Sequence, residues 1–169
     1  MNKVFQIYIG TPSPFELECM AKTKEMFDTY ILFSDDIEGG FPLSGIEKAV
    51  KRSRIGSFLY EMADTPTQKS DILRYVFLAE NTDYWYLDCD ATLEEFPEIT
   101  GNRPYFAEFR NGADGFIIFG NNNKSVFNLI IQDIFSKVKR GKGLAISPYK
   151  SVKKQPITIS KTYFKHKGL

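Results

Sequence analysis

Long hydrophobic runs are missing from this 169-residue sequence. No apolar stretch approaches the roughly 18 residues that a membrane-spanning helix needs. Met1 to Gly10 holds one Lys and a short apolar stretch, but neither the longer apolar segment nor the small-residue cleavage site of a secretory signal. It is expected to be a strand of a cytoplasmic protein. Cysteine is scarce: Cys19 and Cys89 stand at a spacing that suits neither metal ligation nor a redox pair, so two reduced thiols are expected. There is one histidine, His166. Repeats, low-complexity tracts and domain-dividing linkers are lacking, which leaves a single domain over residues 1–169 as the expectation. Acidic residues are lacking from the last 33 positions: residues 137–169 carry ten Lys and Arg and no Asp or Glu, whereas residues 1–136 carry twelve against 21. The net charge of +1 therefore hides an acidic body and a basic tail. Such a tail either faces an anion or forms a solvated surface that offsets the body.

Apolar residues make up 43% of the chain, with fifteen Phe and nine Tyr, which suits a compact core and excludes general disorder. Short apolar runs at Val4–Ile9 and Tyr30–Phe33 read as strands, and Phe15 to Phe27 has helical spacing. Ser44-Gly45-Ile46-Glu47 and Thr65-Pro66-Thr67-Gln68 both carry the capping-box pattern of a helix start. The second opens a helix to about Glu80, whose apolar positions Ile72, Leu73, Val76, Phe77 and Ala79 cover one side. Tyr84 to Leu87 is an aromatic strand running into Asp88-Cys89-Asp90. Tyr105–Phe109 and Phe116–Phe119 are further strands, separated by Asn111-Gly112-Ala113. A helix is expected from about Lys124 to Lys139, stopped by Gly141, and a last strand at Ile157–Ile159. Strands alternating with helices predict an α/β fold with a mostly parallel sheet.

Chemistry concentrates at Tyr86-Leu87-Asp88-Cys89-Asp90. Strand alternation puts Tyr86, Asp88 and Asp90 on one side and Leu87 and Cys89 on the other. Carboxylates at the carboxyl end of a sheet strand stand where open α/β sheets bind ligands. Mg²⁺ or Mn²⁺ takes hard oxygen ligands, commonly one or two carboxylates, with phosphate and water in the remaining positions. The plainer alternative is a solvated strand end. On the preceding helix, Asp71 and Arg74 share a face. They form either an intrahelical ion pair or a pair of ligand contacts, Asp71 accepting from hydroxyls and Arg74 donating to phosphate or sugar oxygens.

Three segments in order, Gln6-Ile7-Tyr8-Ile9-Gly10, Ser70-Asp71-x-x-Arg74-Tyr75 and Tyr86-x-Asp88-x-Asp90, resemble the D-x-D sugar-transferase family. That family includes the yeast-type initiating mannosyltransferases and the glucosyltransferase domains of large clostridial toxins. The resemblance covers most of residues 4–97. It implies a single-domain GT-A fold, an α/β/α sandwich, and a UDP- or GDP-sugar donor held with Mn²⁺ or Mg²⁺. It implies that Tyr8, in place of the usual Trp, stacks on the base, with simple strand packing as the alternative. Gly10 closes the first match and joins the donor-binding set, with Asp71, Arg74 and Tyr86. Asp88 reaches the ribose or the metal through water, and Asp90 ligates the metal. Beyond residue 97, Asp114-Gly115-Phe116 resembles the segment that faces donor sugar and acceptor, making Asp114 a catalytic candidate beside Asp88 and Asp90; a turn-forming Asp is the alternative. Ile146-Ser147-Pro148 sits where the family often has T-G-P. His166-Lys167-Gly168 resembles a C-terminal loop in related enzymes that completes the metal site, with His166 as ligand and Lys167 against the diphosphate; an ordinary surface histidine is the alternative. The family usually has Gly-Gly where this chain has Asp83-Tyr84.

The implied activity is metal-dependent transfer of a hexosyl group, with retention at the anomeric carbon, to a polysaccharide, protein or lipid. Hydrolysis of the nucleotide-sugar, and donor binding without turnover, are alternatives that use the same site. Nucleic-acid binding by the basic tail ranks below these, because few aromatics (Tyr149, Tyr163, Phe164) interleave its lysines.

Overall fold

The computed structural model describes residues 1–109, 112–141, 158–160 and 164–166; residues 108–109, 112–114 and the last two segments are described through the backbone alone. In chain order the elements are β1 (Lys3–Ile7), α1 (Pro14–Met26), β2 (Thr29–Phe33), α2 (Leu43–Lys51), α3 (Arg54–Met62), α4 (Pro66–Glu80), β3 (Tyr84–Leu87), β4 (Ala91–Leu93), β5 (Tyr105–Phe109), β6 (Gly112–Phe119), α5 (Lys124–Lys139), β7 (Thr158–Ser160) and β8 (Phe164–His166). Six strands form one sheet in the order β2-β1-β3-β6-β5-β7, and β4 pairs with β8 in a two-stranded ladder.

The sheet is mixed. β2, β1 and β3 are mutually parallel, and β5 and β7 are parallel, while β6 is antiparallel to both its neighbours. The expected parallel character thus holds for five strands running one way, with β6 reversed. β6 reverses because it follows β5 through a short hairpin, and a parallel pairing would need a crossover of a dozen or more residues.

The two sheet faces are filled by alternate residues. Phe5, Tyr86, Phe106 and Ile118 pack with α2, α3, α4 and α5, whereas Val4, Trp85, Leu87, Tyr105 and Ile117 pack with Phe27 and with Ala91 and Leu93 of β4. The aromatic strand β3 shows the logic. Tyr84 packs edge-on against Phe77 of α4, and one residue later Trp85 stacks on Phe119 across the sheet, ring centroids 4.9 Å apart. Each such side chain buried contributes about 1.5–3 kcal/mol.

Helix α4 is enclosed more completely than its pattern suggested. Ile72, Leu73, Arg74, Tyr75, Val76 and Leu78 are all buried, so α4 has no single apolar side. It lies between the sheet and α2, α3 and α5. Thr65 caps it as expected, its hydroxyl accepting from the Gln68 amide at 3.2 Å, but the Gln68 side chain reaches back to the Asp64 amide. The capping box expected at Ser44-Gly45-Ile46-Glu47 is not formed. α2 starts one residue earlier than Ser44, with Pro42 at its cap and no side-chain cap bond; instead Asp35 accepts from the Leu43 amide at 2.9 Å. α3, β4 and β8 were not anticipated. Both cysteines are free and buried. No helix among the described residues is long and apolar enough to cross a membrane.

At Gly120 an added Cβ would meet the Thr82 carbonyl oxygen at 2.5 Å, a backbone contact that cannot yield cheaply. Gly120→Ala is expected to lower stability by about 1–3 kcal/mol, read by denaturant unfolding.

Candidate functional site

Strand β1 leads through α1 to β2 on one side, and the chain later returns as β3 on the other side of β1. The carboxyl ends of β1 and β3 therefore part at a point where connections diverge, the usual place for a ligand crevice in a sheet of this kind. A cavity of about 240 Å³ opens there. Its walls come from Ile7, Tyr8 and Ile9 at the end of β1, from Pro66, Thr67, Ser70 and Arg74 on α4, and from Tyr86, Asp88, Cys89 and Asp90 at the end of β3. Glu16 of α1 also lines it.

Strand β3 ends at Leu87, and Asp88 to Ala91 form a turn closed by the Ala91 amide on the Asp88 carbonyl at 3.1 Å. Alternation therefore does not run on to Asp90 as expected, and Cys89 lines the cavity together with both aspartates. The turn is pinned by its neighbours. The Asp88 amide donates to the Phe116 carbonyl at 2.8 Å, and the Cys89 thiol contacts the Ile7 carbonyl at 3.5 Å. Burial pushes that thiol well above its ordinary range, so Cys89 is held neutral. Gln6, fully buried on β1, donates from one amide nitrogen to the carbonyls of Leu87 (3.2 Å) and Asp88 (3.3 Å) and accepts from the Tyr30 hydroxyl at 2.8 Å.

Arg74 is the hub of the charged groups. Its side chain is buried, pairs with Asp71 on its own helix and lies 3.5 Å from Asp88. It also donates to the Gly115 carbonyl and stacks over the Tyr86 ring, 4.8 Å from guanidinium carbon to ring centroid. Tyr86 in turn donates to Asp88 at 2.6 Å. The expected Asp71–Arg74 ion pair is thus formed, and Arg74 also reaches the cavity wall. Asp71 stands behind it rather than on that wall. Gly115 leaves room for this hub: a Cβ there would lie 2.9 Å from the Tyr75 hydroxyl and 3.0 Å from an Arg74 nitrogen. Gly115→Ala is expected to displace Arg74, lowering stability by about 1–3 kcal/mol and weakening any ligand bound in the cavity. An unchanged unfolding midpoint would show that the guanidinium has slack.

Tyr8 borders the cavity with its hydroxyl tied down, donating to Glu16 at 3.0 Å. The same carboxylate oxygen accepts from the Ser13 amide at 2.9 Å while Ser13 caps α1. Ser13-Pro14-Phe15-Glu16 is itself a capping box, a readable signal that would have placed Glu16 here. Burial, and then the Glu16 carboxylate, push the Tyr8 hydroxyl from its ordinary 10.0 up to about 12. Burial, and then Glu47, raise Tyr60 to about 12, and burial raises Tyr86 further, against the pull of Arg74. A proton held more tightly in the folded state stabilises it fully below the unfolded pKa of about 10, and that contribution is lost as pH rises through 12. Unfolding midpoints are therefore expected to fall between pH 10 and 12, less steeply in Tyr8→Phe and Tyr60→Phe. A flat profile across that window would contradict the assignment.

The structure thus gathers Tyr8, Arg74, Tyr86, Asp88 and Asp90 around one cavity. Gly10 lies just outside its lining, its amide donating to Asp36 at 3.1 Å. Asp114 is described through its backbone alone, one residue before the Gly115 carbonyl that Arg74 holds. β8 runs antiparallel to β4 with His166 opposite Ala91, which places the His166 backbone beside the residue that follows Asp90. Lys167 and Ile146-Ser147-Pro148 lie outside the described residues. Among the described residues no three His, Cys, Asp or Glu side chains converge into a metal site.

Comparison with solved structures gives one decisive observation. The PaToxG glycosyltransferase superposes on this chain with a TM-score of 0.65, over 90% of this chain and 67% of its own, at 15% sequence identity. The chain has a glycosyltransferase-like fold. The sequence itself matches no protein-family model and no curated protein. At this identity the likeness concerns the fold, and the chemistry rests on the residues of the cavity.

Proposed function

We propose that this chain is a metal-dependent glycosyltransferase of GT-A type that takes a UDP- or GDP-sugar as donor. The observation that carries the reading is the cavity at the ends of β1 and β3. An aromatic platform, a cationic hub and a two-aspartate turn meet there, in a chain folded like a glycosyltransferase.

Tyr8, with its hydroxyl fixed by Glu16, presents a ring edge or face for the base. Thr67 and Ser70, on the turns of α4 that line the cavity, offer hydroxyls to the ribose or the sugar. Arg74 lies 3.5 Å from Asp88 and Tyr86 donates to the same carboxylate oxygen at 2.6 Å, so the two orient it. Asp88 and Asp90 are hard oxygen donors on one turn, which fits Mg²⁺ or Mn²⁺. Two carboxylates leave most of an octahedral shell to diphosphate and water, so the ion is expected to bind with the nucleotide rather than ahead of it. When bound, it would stabilise the departing diphosphate. His166 is proposed as a further ligand of the ion and Lys167 as a cationic partner of the diphosphate. Asp114 is retained as a proposed catalytic residue. Retention is the stereochemical outcome proposed.

The test is release of nucleoside diphosphate from UDP-glucose, UDP-N-acetylglucosamine and GDP-mannose with Mn²⁺, followed by analysis of where the sugar goes. Sugar on an added acceptor supports transfer, and free sugar alone assigns hydrolysis. No release from any donor, with tight binding retained, assigns a binding role.

A further inference from the structure

The Asp88–Asp90 turn is held by a buried amide that belongs to another strand. Gln6 is fully buried at the end of β1, in a position where an unpaired polar group would cost several kcal/mol. Its nitrogen donates to the carbonyls of Leu87 and Asp88 at 3.2 and 3.3 Å, the last residue of β3 and the first of the turn. Its oxygen accepts from the Tyr30 hydroxyl at 2.8 Å, which sits on β2. Three parallel strands are therefore linked by one side chain, which joins the carboxyl ends of β1 and β3 to a tyrosine near the start of β2. The two carbonyls set which way the amide faces, since turned over it would aim its oxygen at two acceptors, and the Tyr30 hydroxyl holds its other end. The Asp88 carbonyl is held twice, by Gln6 and by the Ala91 amide that closes the turn.

We infer that Gln6, held in place by Tyr30, is a positioning residue that fixes the Asp88–Asp90 turn for the metal-diphosphate end of the donor. This rests on the proposed donor site. Gln6 lines no part of the cavity, so it acts through the backbone of the turn. Outer-shell groups that orient metal-binding carboxylates typically contribute 10–100-fold in affinity. Packing alone would give a different signature, a loss of stability with metal dependence intact.

The experiment measures binding of UDP and GDP by calorimetry, with and without Mn²⁺, for the wild type, Gln6→Met and Tyr30→Phe, beside their unfolding midpoints. Tyr30→Phe keeps the ring packed and removes only the hydroxyl, so it serves if Gln6→Met does not fold. The expected result is an Mn²⁺-dependent affinity reduced about 10–100-fold in Gln6→Met and by a smaller factor in Tyr30→Phe, with metal-free nucleotide binding unchanged. Equal Mn²⁺ dependence in a folded variant and the wild type would overturn the positioning role while leaving the donor site standing. A wild type without Mn²⁺-dependent nucleotide binding would overturn the donor site and this inference with it.

Discussion

Replacing Arg74 by methionine is expected to lower folding stability by about 3–5 kcal/mol, the effect of removing one partner from a buried ion cluster. Methionine fills similar space but leaves Asp71 and Asp88 facing each other across the lost charge and the Gly115 carbonyl without that donor. Because domains of this size are stable by only about 5–15 kcal/mol, the variant should unfold at markedly lower denaturant. Arg74→Lys should recover part of the loss, since it restores charge but not the planar fork that reaches two carboxylates and a carbonyl together. Urea unfolding of the three proteins checks this. A loss under about 1 kcal/mol for Arg74→Met would place Arg74 in the class of screened surface ion pairs, which its burial argues against.

Asp90→Asn is expected to act on the ligand rather than the fold. It keeps the size of the side chain at the corner of a turn that is held through main-chain groups and Gln6. It removes a charge from a site proposed to have only two carboxylates for the ion, so Mn²⁺-dependent nucleotide affinity should fall at least about tenfold, with an unfolding midpoint close to the wild type's. Asn in place of Asp retains one carbonyl oxygen, and a harder ion such as Mg²⁺ should discriminate more sharply than Mn²⁺. Nucleotide titrations under both ions read the outcome. Unchanged affinity would remove Asp90 from the site.

What the sequence disclosed depended on how local each signal was. α4 and α5 were readable to the residue because Thr65-Pro66 and Gly141 are punctuation that works within one turn. Gly141 does adopt the left-handed backbone of a helix stop, with φ at 83°. Ser44 misled because Asp35, nine residues earlier in the chain, already occupies the start of α2. The pairing of β4 with β8 joins residues more than seventy positions apart, and nothing in Ala91-Thr92-Leu93 announces its partner. The candidate site shows the same division. Tyr8, Arg74, Tyr86, Asp88 and Asp90 were legible as motif positions. The roles of Gln6, Tyr30 and Cys89 were not, because each is defined by the carbonyl or hydroxyl it meets on another strand. Arg74 was legible as a charge but not as a buried hub, since an i,i+3 pair looks the same on a solvated helix face.

Nucleotide-sugar binding in the cavity between β1, β3 and α4, through the two-aspartate turn, is the proposal on which the others depend. The most direct measurement is thermal unfolding of the wild type and the Asp88→Asn/Asp90→Asn double variant with UDP-, GDP- and dTDP-sugars, each with and without Mn²⁺. A ligand bound only by the folded state raises the melting temperature by mass action. The expected result is an Mn²⁺-dependent rise for one nucleotide in the wild type and none in the double variant. The same rise in both proteins, or no rise for any nucleotide-sugar in the wild type, would contradict it.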